Sequence, residues 1–332
     1  MPILVIPILA IHLAQANPTD QPARAILVRR AAWVMGTELR LVVVAPDEQS
    51  GQRTVEGALA AVRRMDQVLS TWRDDTELQR LNRAPVGQLI RLSLELGGLL
   101  RDVWRWWRET DGTFDPGVGP LIDVWGVRET LKAPPPDALA RAREQSGLRR
   151  FELDSTRQTI VRRGTGAWMD SGAFGKGAAL RSVEAVLRQS GIGAALVDFG
   201  GQGLALGSSP DGPPSGGWTI AVAHPVERLV PVRELVIRDR SVSTSGQSER
   251  PGHILDPRSG RPVPAWGSVT VIAPDPLGAD ILSTALFVMG PDAGLQWASG
   301  RSDFGALFLV LRNGRVEARW NAALEPYLKE TK

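Results

Sequence analysis

Three short segments of the sequence concentrate glycine, carboxylate, hydroxyl and amine groups in patterns that a fold alone does not require. The first, Gly112-Thr113-Phe114-Asp115-Pro116-Gly117-Val118-Gly119-Pro120-Leu121, is a glycine-rich loop carrying one carboxylate. The second, Asp170-Ser171-Gly172-Ala173-Phe174-Gly175-Lys176-Gly177, feeds a helical pattern through Leu180, Val183, Val186 and Leu187 to a stop at Gly191. Glycines at a helix N-terminus let backbone N–H groups approach an anion, and Lys176 adds a point charge suited to phosphate. The segment is not a nucleotide-triphosphate loop: Asp170 stands at the first glycine of G-x-x-x-x-G-K-[ST], and Gly177 at the metal-binding hydroxyl. The third, Ala279 to Val288, reads as an almost wholly apolar, buried helix in which Asp280 and Thr284 lie four apart on one face. A buried carboxylate is costly unless it is paired or binds a metal. Carboxylate, hydroxyl and carbonyl oxygens are hard donors, so the cation they suit is Mg²⁺ held also by substrate phosphates. An N-cap aspartate followed by a threonine bonded back to its own helix would leave the same pattern.

Imidazole completes the inventory. Beyond residue 16 there are two histidines, His224 and His253, and the second sits in Gly252-His253-Ile254-Leu255-Asp256-Pro257, shortly after Ser243-Thr244-Ser245-Gly246, in a region rich in turn formers. A loop histidine can act as a general base near neutral pH. A Ser-His-Asp hydrolase with Ser245 as nucleophile competes with that reading, although no G-x-S-x-G elbow is present. The absence of cysteine excludes disulfides, thiolate metal sites and cysteine nucleophiles. The net charge of +3 is carried mostly by scattered arginines, with no zinc, helix-turn-helix or aromatic RNA-binding signature. A phosphate-bearing small ligand fits this charge better than nucleic acid.

These groups must be positioned by a chain of 332 residues, enough for one large domain or two intimately packed halves. Ile3 to Leu13 is apolar but too short for a membrane span, and Ala14-Gln15-Ala16 supplies a small-x-small cleavage pattern, so residues 1–16 read as an export signal and 17–332 as the working domain, periplasmic or otherwise outside the cytoplasm. Leu39 to Ala45 reads as a strand, followed by a helix carrying Val55, Leu59, Val62, Met65 and Leu69. A second helix opens at the N-cap Ser93 and stops at Asp111-Gly112, its tryptophans assigned to the core. Pro134-Pro135-Pro136 marks a loop before a short surface helix, Asp137 to Gln145. Strand-like pieces follow at Phe151 to Leu153, Thr159 to Arg162, Ala194 to Phe199, Trp218 to Ala223, Glu234 to Arg238, Ser268 to Ile272 and Ala306 to Leu311. The last of these meets Val316 to Trp320 across the turn Asn313-Gly314. Hairpins mixed with separate helices give an α+β class, with mixed, largely antiparallel sheets and packed helices.

Taken in order, these segments resemble the ApbE-like family of FAD:protein FMN transferases, formerly described as thiamine-biosynthesis lipoproteins. The resemblance runs from Met35-Gly36-Thr37 to about Trp297, through Ser70-Thr71-Trp72-Arg73-Asp74-Asp75, Leu81-Asn82, Phe114 to Pro116, Val118 to Leu121, Trp125-Gly126, Asp170 to Gly177, Gly200-Gly201, Thr244 to Gly246, His253 to Pro257, and Asp280 with Thr284. It implies that FAD is held by Met35, by Trp72 in place of a usual tyrosine as a flavin-stacking ring, and by Thr113, Phe114, Asp115, Asp170, Lys176 and Ile254. It further implies that Mg²⁺ binds Asp280, Thr284 and the main-chain carbonyl of Ala173. His253 would be the base for a Thr or Ser hydroxyl of an acceptor protein carrying a D-x-x-[ST]-G-A-[ST]-like motif, which takes FMN while AMP leaves. The sequence departs from the family at Gln202, where an acid is usual after the paired glycines, at Ser171 for a common leucine, and at Gly117 for a frequent threonine, a change expected to loosen the adenine side. Release of FMN to water, as an FAD pyrophosphatase, and flavin binding without catalysis are the competing functions.

Overall fold

The computed structural model describes residues 25–213, 216–248 and 250–329; residues 1–16, read from sequence as an export signal, lie outside them. Eight strands form one sheet in the order β1 (Ile26–Val34), β2 (Thr37–Ala45), β6 (Ala194–Phe199), β7 (Gln202–Leu206), β10 (Arg240–Gly246), β13 (Gly267–Ala273), β14 (Gly305–Arg312) and β15 (Arg315–Trp320), every neighbouring pair antiparallel. Period-two alternation gives the sheet two apolar faces. On β2, Leu39, Leu41, Val43 and Ala45 join one core, while Val42 and Val44 pack against the other.

The first face is covered by α1 (Glu48–Leu69), α6 (Gly175–Gln189) and α7 (Pro276–Met289), with α8 (Pro291–Ser299) beside α7. The second carries the hairpin β8 (Trp218–Ala223) and β9 (Pro231–Ile237), whose Trp218, Ile220, Val222, Leu235 and Ile237 pack on Leu196, Val242 and Ile272 of the sheet. The first core continues through α2 (Glu77–Arg83), α3 (Leu94–Glu109) and a small sheet of β3 (Leu89–Arg91), β5 (Thr159–Arg162) and β4 (Phe151–Asp154). A third cluster joins α4 (Gly119–Trp125) and α5 (Pro136–Gln145) to the short ladder β11 (Leu255–Asp256) and β12 (Arg261–Pro262). This is the α+β arrangement expected from the sequence, and Ser93 does cap α3 by accepting the Leu96 N–H at 3.1 Å.

Two expectations are corrected. The helix read as Ala279 to Val288 starts a turn earlier, at Pro276, because Asp275 caps it by accepting the N–H groups of Leu277 and Gly278, both at 3.2 Å. Asp280 is therefore not the cap; it lies inside the helix. Ser243 to Gly246, read as turn-rich, is the end of the central strand β10, where pairing to β7 and β13 overrides the weak strand preference of serine and glycine.

The N-termini of α6 and α7 meet closely. Arg181 of α6 clamps Asp275 at 2.8 and 2.5 Å and reaches Asp102 of α3 at 2.7 Å. At the contact, a Cβ on Gly177 would come within 2.6 Å of the Pro276 carbonyl oxygen and 2.8 Å of Asp280 Cβ. Gly177→Ala should therefore force the helices apart and lower the thermal midpoint by about 2–6 °C, consistent with about 1–3 kcal/mol of overpacking. Gly98→Ala, in α3 with open space around its Cβ, should leave the midpoint unchanged or raise it slightly. Equal midpoints for the two variants would contradict the close contact.

Burial also perturbs two carboxyls. Asp198 on β6 is pushed up to about 6, with Arg40 pulling the other way, and Asp115 is pushed up to about 6 against its own hydrogen bonds. Both lie above the ordinary aspartate value, so between roughly pH 4 and 6 the native state binds more protons than the unfolded chain. The stability these groups contribute is complete below about pH 4 and is lost as pH rises through 6. Asp198→Asn should make the fall in urea midpoint across that window shallower and raise the midpoint at pH 7; an unchanged slope would show that Asp198 titrates normally.

Candidate active site

Where the main sheet, the hairpin β8–β9 and the helical region meet, the protein encloses a cavity of about 560 Å³. Part of its lining comes from the adjoining first turns of α6 and α7. Asp280 is 3% exposed; its Oδ2 accepts the Gly177 N–H at 2.8 Å, and its Oδ1 faces Lys176 Nζ at 3.7 Å. Thr284, one turn further along α7, has its hydroxyl 3.5 Å from Ser245 Oγ, at the edge of hydrogen bonding. Ser283 is held by Ser243 at 3.1 Å and Ser245 at 2.9 Å, and donates to the Asp280 carbonyl at 3.0 Å. Hydroxyls on the α7-facing side of β10 thus fix the helix turn that carries Asp280 and Thr284.

Ala173, at the start of the α6 turn, also lines the cavity, and its carbonyl accepts no hydrogen bond among the described residues. One loosely paired carboxylate oxygen, one hydroxyl and one open carbonyl fit a hard divalent cation. Among the described residues no group of three or more His, Asp or Glu side chains could hold a metal, so such a cation requires oxygens from its ligand as well.

Trp72 and Arg128 add an aromatic and a cationic group to the lining. Trp72 is 70% exposed, and Arg128 is stacked between it and Trp168, 4.6 and 4.8 Å from the two rings. The guanidinium is anchored by the Thr71 carbonyl at 3.0 Å, the Thr71 hydroxyl and Asp170 Oδ2, while Asp170 Oδ1 accepts the Gly172 N–H at 2.7 Å. Thr113 and Phe114 are buried in the same wall, and Phe114 meets Phe174 edge-on. Asp115 lines the cavity but its carboxylate holds the loop together: Oδ1 accepts from Gly117 and Leu148, and Oδ2 from Trp107 Nε1 at 2.9 Å. The glycine at 117 does not loosen this side, because a Cβ there would strike the Gly147 carbonyl carbon at 2.4 Å; the backbones are pressed together.

His253 and Ile254 reach the cavity from a loop organised by Gln247, whose side chain donates to the Val263 carbonyl and accepts the Gly252 N–H at 3.0 Å. His253 Nδ1 contacts the Arg250 carbonyl. A carbonyl can only accept, so Nδ1 carries a proton in this contact, and in the neutral tautomer that fits it the basic nitrogen is Nε2. Ser245, the nucleophile of the hydrolase reading, instead directs its hydroxyl to Ser283 and Thr284, and Asp256 is engaged by Arg258 of its own turn.

Eleven of the twelve residues singled out from sequence line one cavity: Trp72, Thr113, Phe114, Asp115, Asp170, Ala173, Lys176, His253, Ile254, Asp280 and Thr284. Met35 does not. It sits at the left-handed tip of the β1–β2 hairpin, with its methyl group against Gly175 at the start of α6. Sequence reasoning missed Arg128 and Asp198, whose partners lie 40 or more residues away or across the sheet, and which carry no local motif.

Residues 35–308 match the ApbE family. The chain is 30% identical over 311 residues to a FAD:protein FMN transferase of Klebsiella pneumoniae (strain 342), an alignment covering 86% of this chain and 85% of the relative. Its fold is similar to that of the flavin transferase ApbE from Vibrio cholerae, with a TM-score of 0.81 and 26% identity over 92% of this chain and 100% of the other. It is also similar to Pseudomonas stutzeri flavinyl transferase ApbE in its apo form, with a TM-score of 0.81 and 26% identity over 91% and 96% of the two chains. Since the matched stretch contains every cavity-lining segment described above, the chain belongs to the ApbE family.

Proposed function

We propose that the protein is an Mg²⁺-dependent FAD:protein FMN transferase, which splits the diphosphate of FAD and places FMN on a Thr or Ser hydroxyl of an acceptor protein, with AMP as the leaving group. The observation that carries this reading is the pairing of Lys176 with the buried Asp280 at 3.7 Å in the wall of a cavity that Thr284, Ala173 and His253 also line. Family membership and the relatives named FAD:protein FMN transferase support the same reaction.

In this reading the diphosphate lies at the α6 N-terminus, where the helix dipole and Lys176 offset its charge. Asp280, Thr284 and the Ala173 carbonyl would hold Mg²⁺, which when bound would supply Lewis-acid neutralisation of charge on the leaving phosphate. His253 Nε2 removes the proton of the acceptor hydroxyl; the freed oxygen bonds to the FMN phosphorus as the bond from that phosphorus to the AMP oxygen breaks. Trp72 presents the outer face of its indole to the isoalloxazine, backed by Arg128 on its inner face. Thr113, Phe114, Asp115, Asp170 and Ile254 complete the FAD pocket, and Met35 supports the α6 turn from outside it. The acceptor would be a protein bearing a D-x-x-[ST]-G-A-[ST]-like segment, and residues 1–16, read as an export signal, would put the reaction outside the cytoplasm. Among the described residues, no helix is long and apolar enough to cross a membrane.

A base that acts on the acceptor proton need not hold FAD in the ground state. His253→Ala should bind FAD normally, measured by flavin fluorescence quenching, yet transfer FMN at least about a hundredfold more slowly. Near-normal transfer would refute the role, and lost FAD binding would make His253 a cofactor clamp. Trp72→Ala should weaken FAD binding by about tenfold while leaving the near-UV circular dichroism of the core unchanged, since the indole is largely solvent-facing. Unchanged affinity would remove Trp72 from the flavin site.

A further inference from the structure

The hairpin β8–β9 is a sheet of two strands, so each strand has an outer edge. That of β9 is closed: Leu235 pairs with Leu328, and the Lys329 N–H donates to the Glu234 carbonyl at 3.1 Å. Backbone groups alternate in direction along an antiparallel strand, so Glu234, turned outward from the hairpin, leaves its partner Ala221 turned outward on the β8 side. The other end of β8 agrees. The His224 N–H donates inward to the Val230 carbonyl at 2.7 Å, which turns Ala223 outward. Among the described residues, no hydrogen bond from outside the hairpin reaches the backbone of residues 218–223.

That free edge lies in the cavity. Residues 220–225 line it without a break, while none of Pro231–Ile237 does. A strand that lines a cavity through consecutive residues presents its edge there, because either face alone would contribute only alternate residues. Edge strands are ordinarily protected by charge, proline or a covering element. The strand β9 carries Pro231, Arg233 and Glu234, whereas β8 reads Trp-Thr-Ile-Ala-Val-Ala and has neither charge nor proline. The main sheet adds a polar group on the same side. Asp198 of β6 shares its face with Leu196, which packs in one cluster with the hairpin, and both line the cavity. Its cross-strand neighbour Arg40 is engaged by Glu38 at 2.6 Å, which leaves the Asp198 carboxylate to accept from a donor on whatever occupies this space.

A row of outward N–H and C=O groups matches the backbone of an extended peptide, and a flavin nucleotide offers no such row. Resting on the function proposed above, we propose that the acceptor protein is held by strand addition: an extended segment of it pairs with the free edge of β8 through Ala221 and Ala223, and so enters the cavity that His253 lines. Pairing through the main chain tolerates varied side chains, and Asp198 adds one point of selection for a donor.

The test reads amide exchange by NMR in protein isotopically labelled at alanine, with an acceptor protein bearing D-x-x-[ST]-G-A-[ST] in excess, with FAD alone, and with neither. The acceptor should slow exchange at Ala221 and Ala223 by at least about tenfold, and FAD alone should not. No slowing by an acceptor that does become modified with FMN would overturn the inference and leave the function standing. Equal slowing by FAD alone would make the nucleotide the occupant of this edge and overturn it as well. If the acceptor is never modified and never slows exchange, the function fails and the inference with it. Ala221→Pro removes one outward N–H and no hydrogen bond of the hairpin. It should raise the acceptor KM by about tenfold, through the lost bond and the bulk of the ring, with FAD affinity unchanged. Ala221→Ser, which keeps the N–H, should keep the wild-type KM. A folded Ala221→Pro protein with the wild-type KM would overturn the inference.

Discussion

Everything at the catalytic end depends on how closely the N-termini of α6 and α7 approach each other. Gly177 is the contact point, where a single Cβ would collide with backbone atoms of Pro276 and Leu277. That absence of a side chain lets the Gly177 N–H reach Asp280 at 2.8 Å and brings Lys176 within 3.7 Å of the same carboxylate. Two helix N-termini side by side would repel through their partial positive charges, and the buried Asp280 offsets that repulsion. Arg181 binds Asp275 and Asp102 from the α6 side, so the junction is locked by ionic contacts outside the cavity as well as by packing.

The strand β10 plays the complementary part. Its serines at 243 and 245 face α7 and hold Ser283, while Thr244 faces the other way and pairs with Thr270 at 2.8 Å. A strand of hydroxyls in mid-sheet contributes less burial than the valine-rich β13 next to it, but it gives α7 a defined rotation about its axis. That rotation turns Asp280 and Thr284 together toward the cavity. On the opposite wall, stacking of Arg128 between two indoles orders a tryptophan that would otherwise be a mobile surface ring.

Much of this was legible in the sequence because the chemistry sits in local motifs. The Asp170 to Gly177 loop, the Asp280/Thr284 pair and the His253 turn each announce themselves by spacing. Strands with short apolar runs between turn signals, such as Ala194–Phe199 and Thr159–Arg162, were visible for the same reason. What escaped was non-local. β10 lacks strand propensity and exists because its neighbours pair with it. Asp275, not Asp280, caps α7, and only the start of the helix in space reveals which aspartate is which. Arg128 joins Trp72, Trp168 and Asp170 from separate segments, and no pattern along the chain marks it. Gly117 was read as a loosening substitution, but the backbone of Gly147 fills the space that a side chain would need.

The central claim is that one cavity joins a base, a cation-and-diphosphate site and an aromatic platform for group transfer to a protein hydroxyl. Its most direct test is intact-mass spectrometry of an acceptor bearing D-x-x-[ST]-G-A-[ST] after incubation with the protein, FAD and Mg²⁺, with AMP quantified in the same reaction. The account predicts an acceptor heavier by FMN less one water, with one AMP released for each modified chain. FAD consumed to free FMN and AMP while the acceptor mass stays unchanged, or FAD left intact, would contradict it.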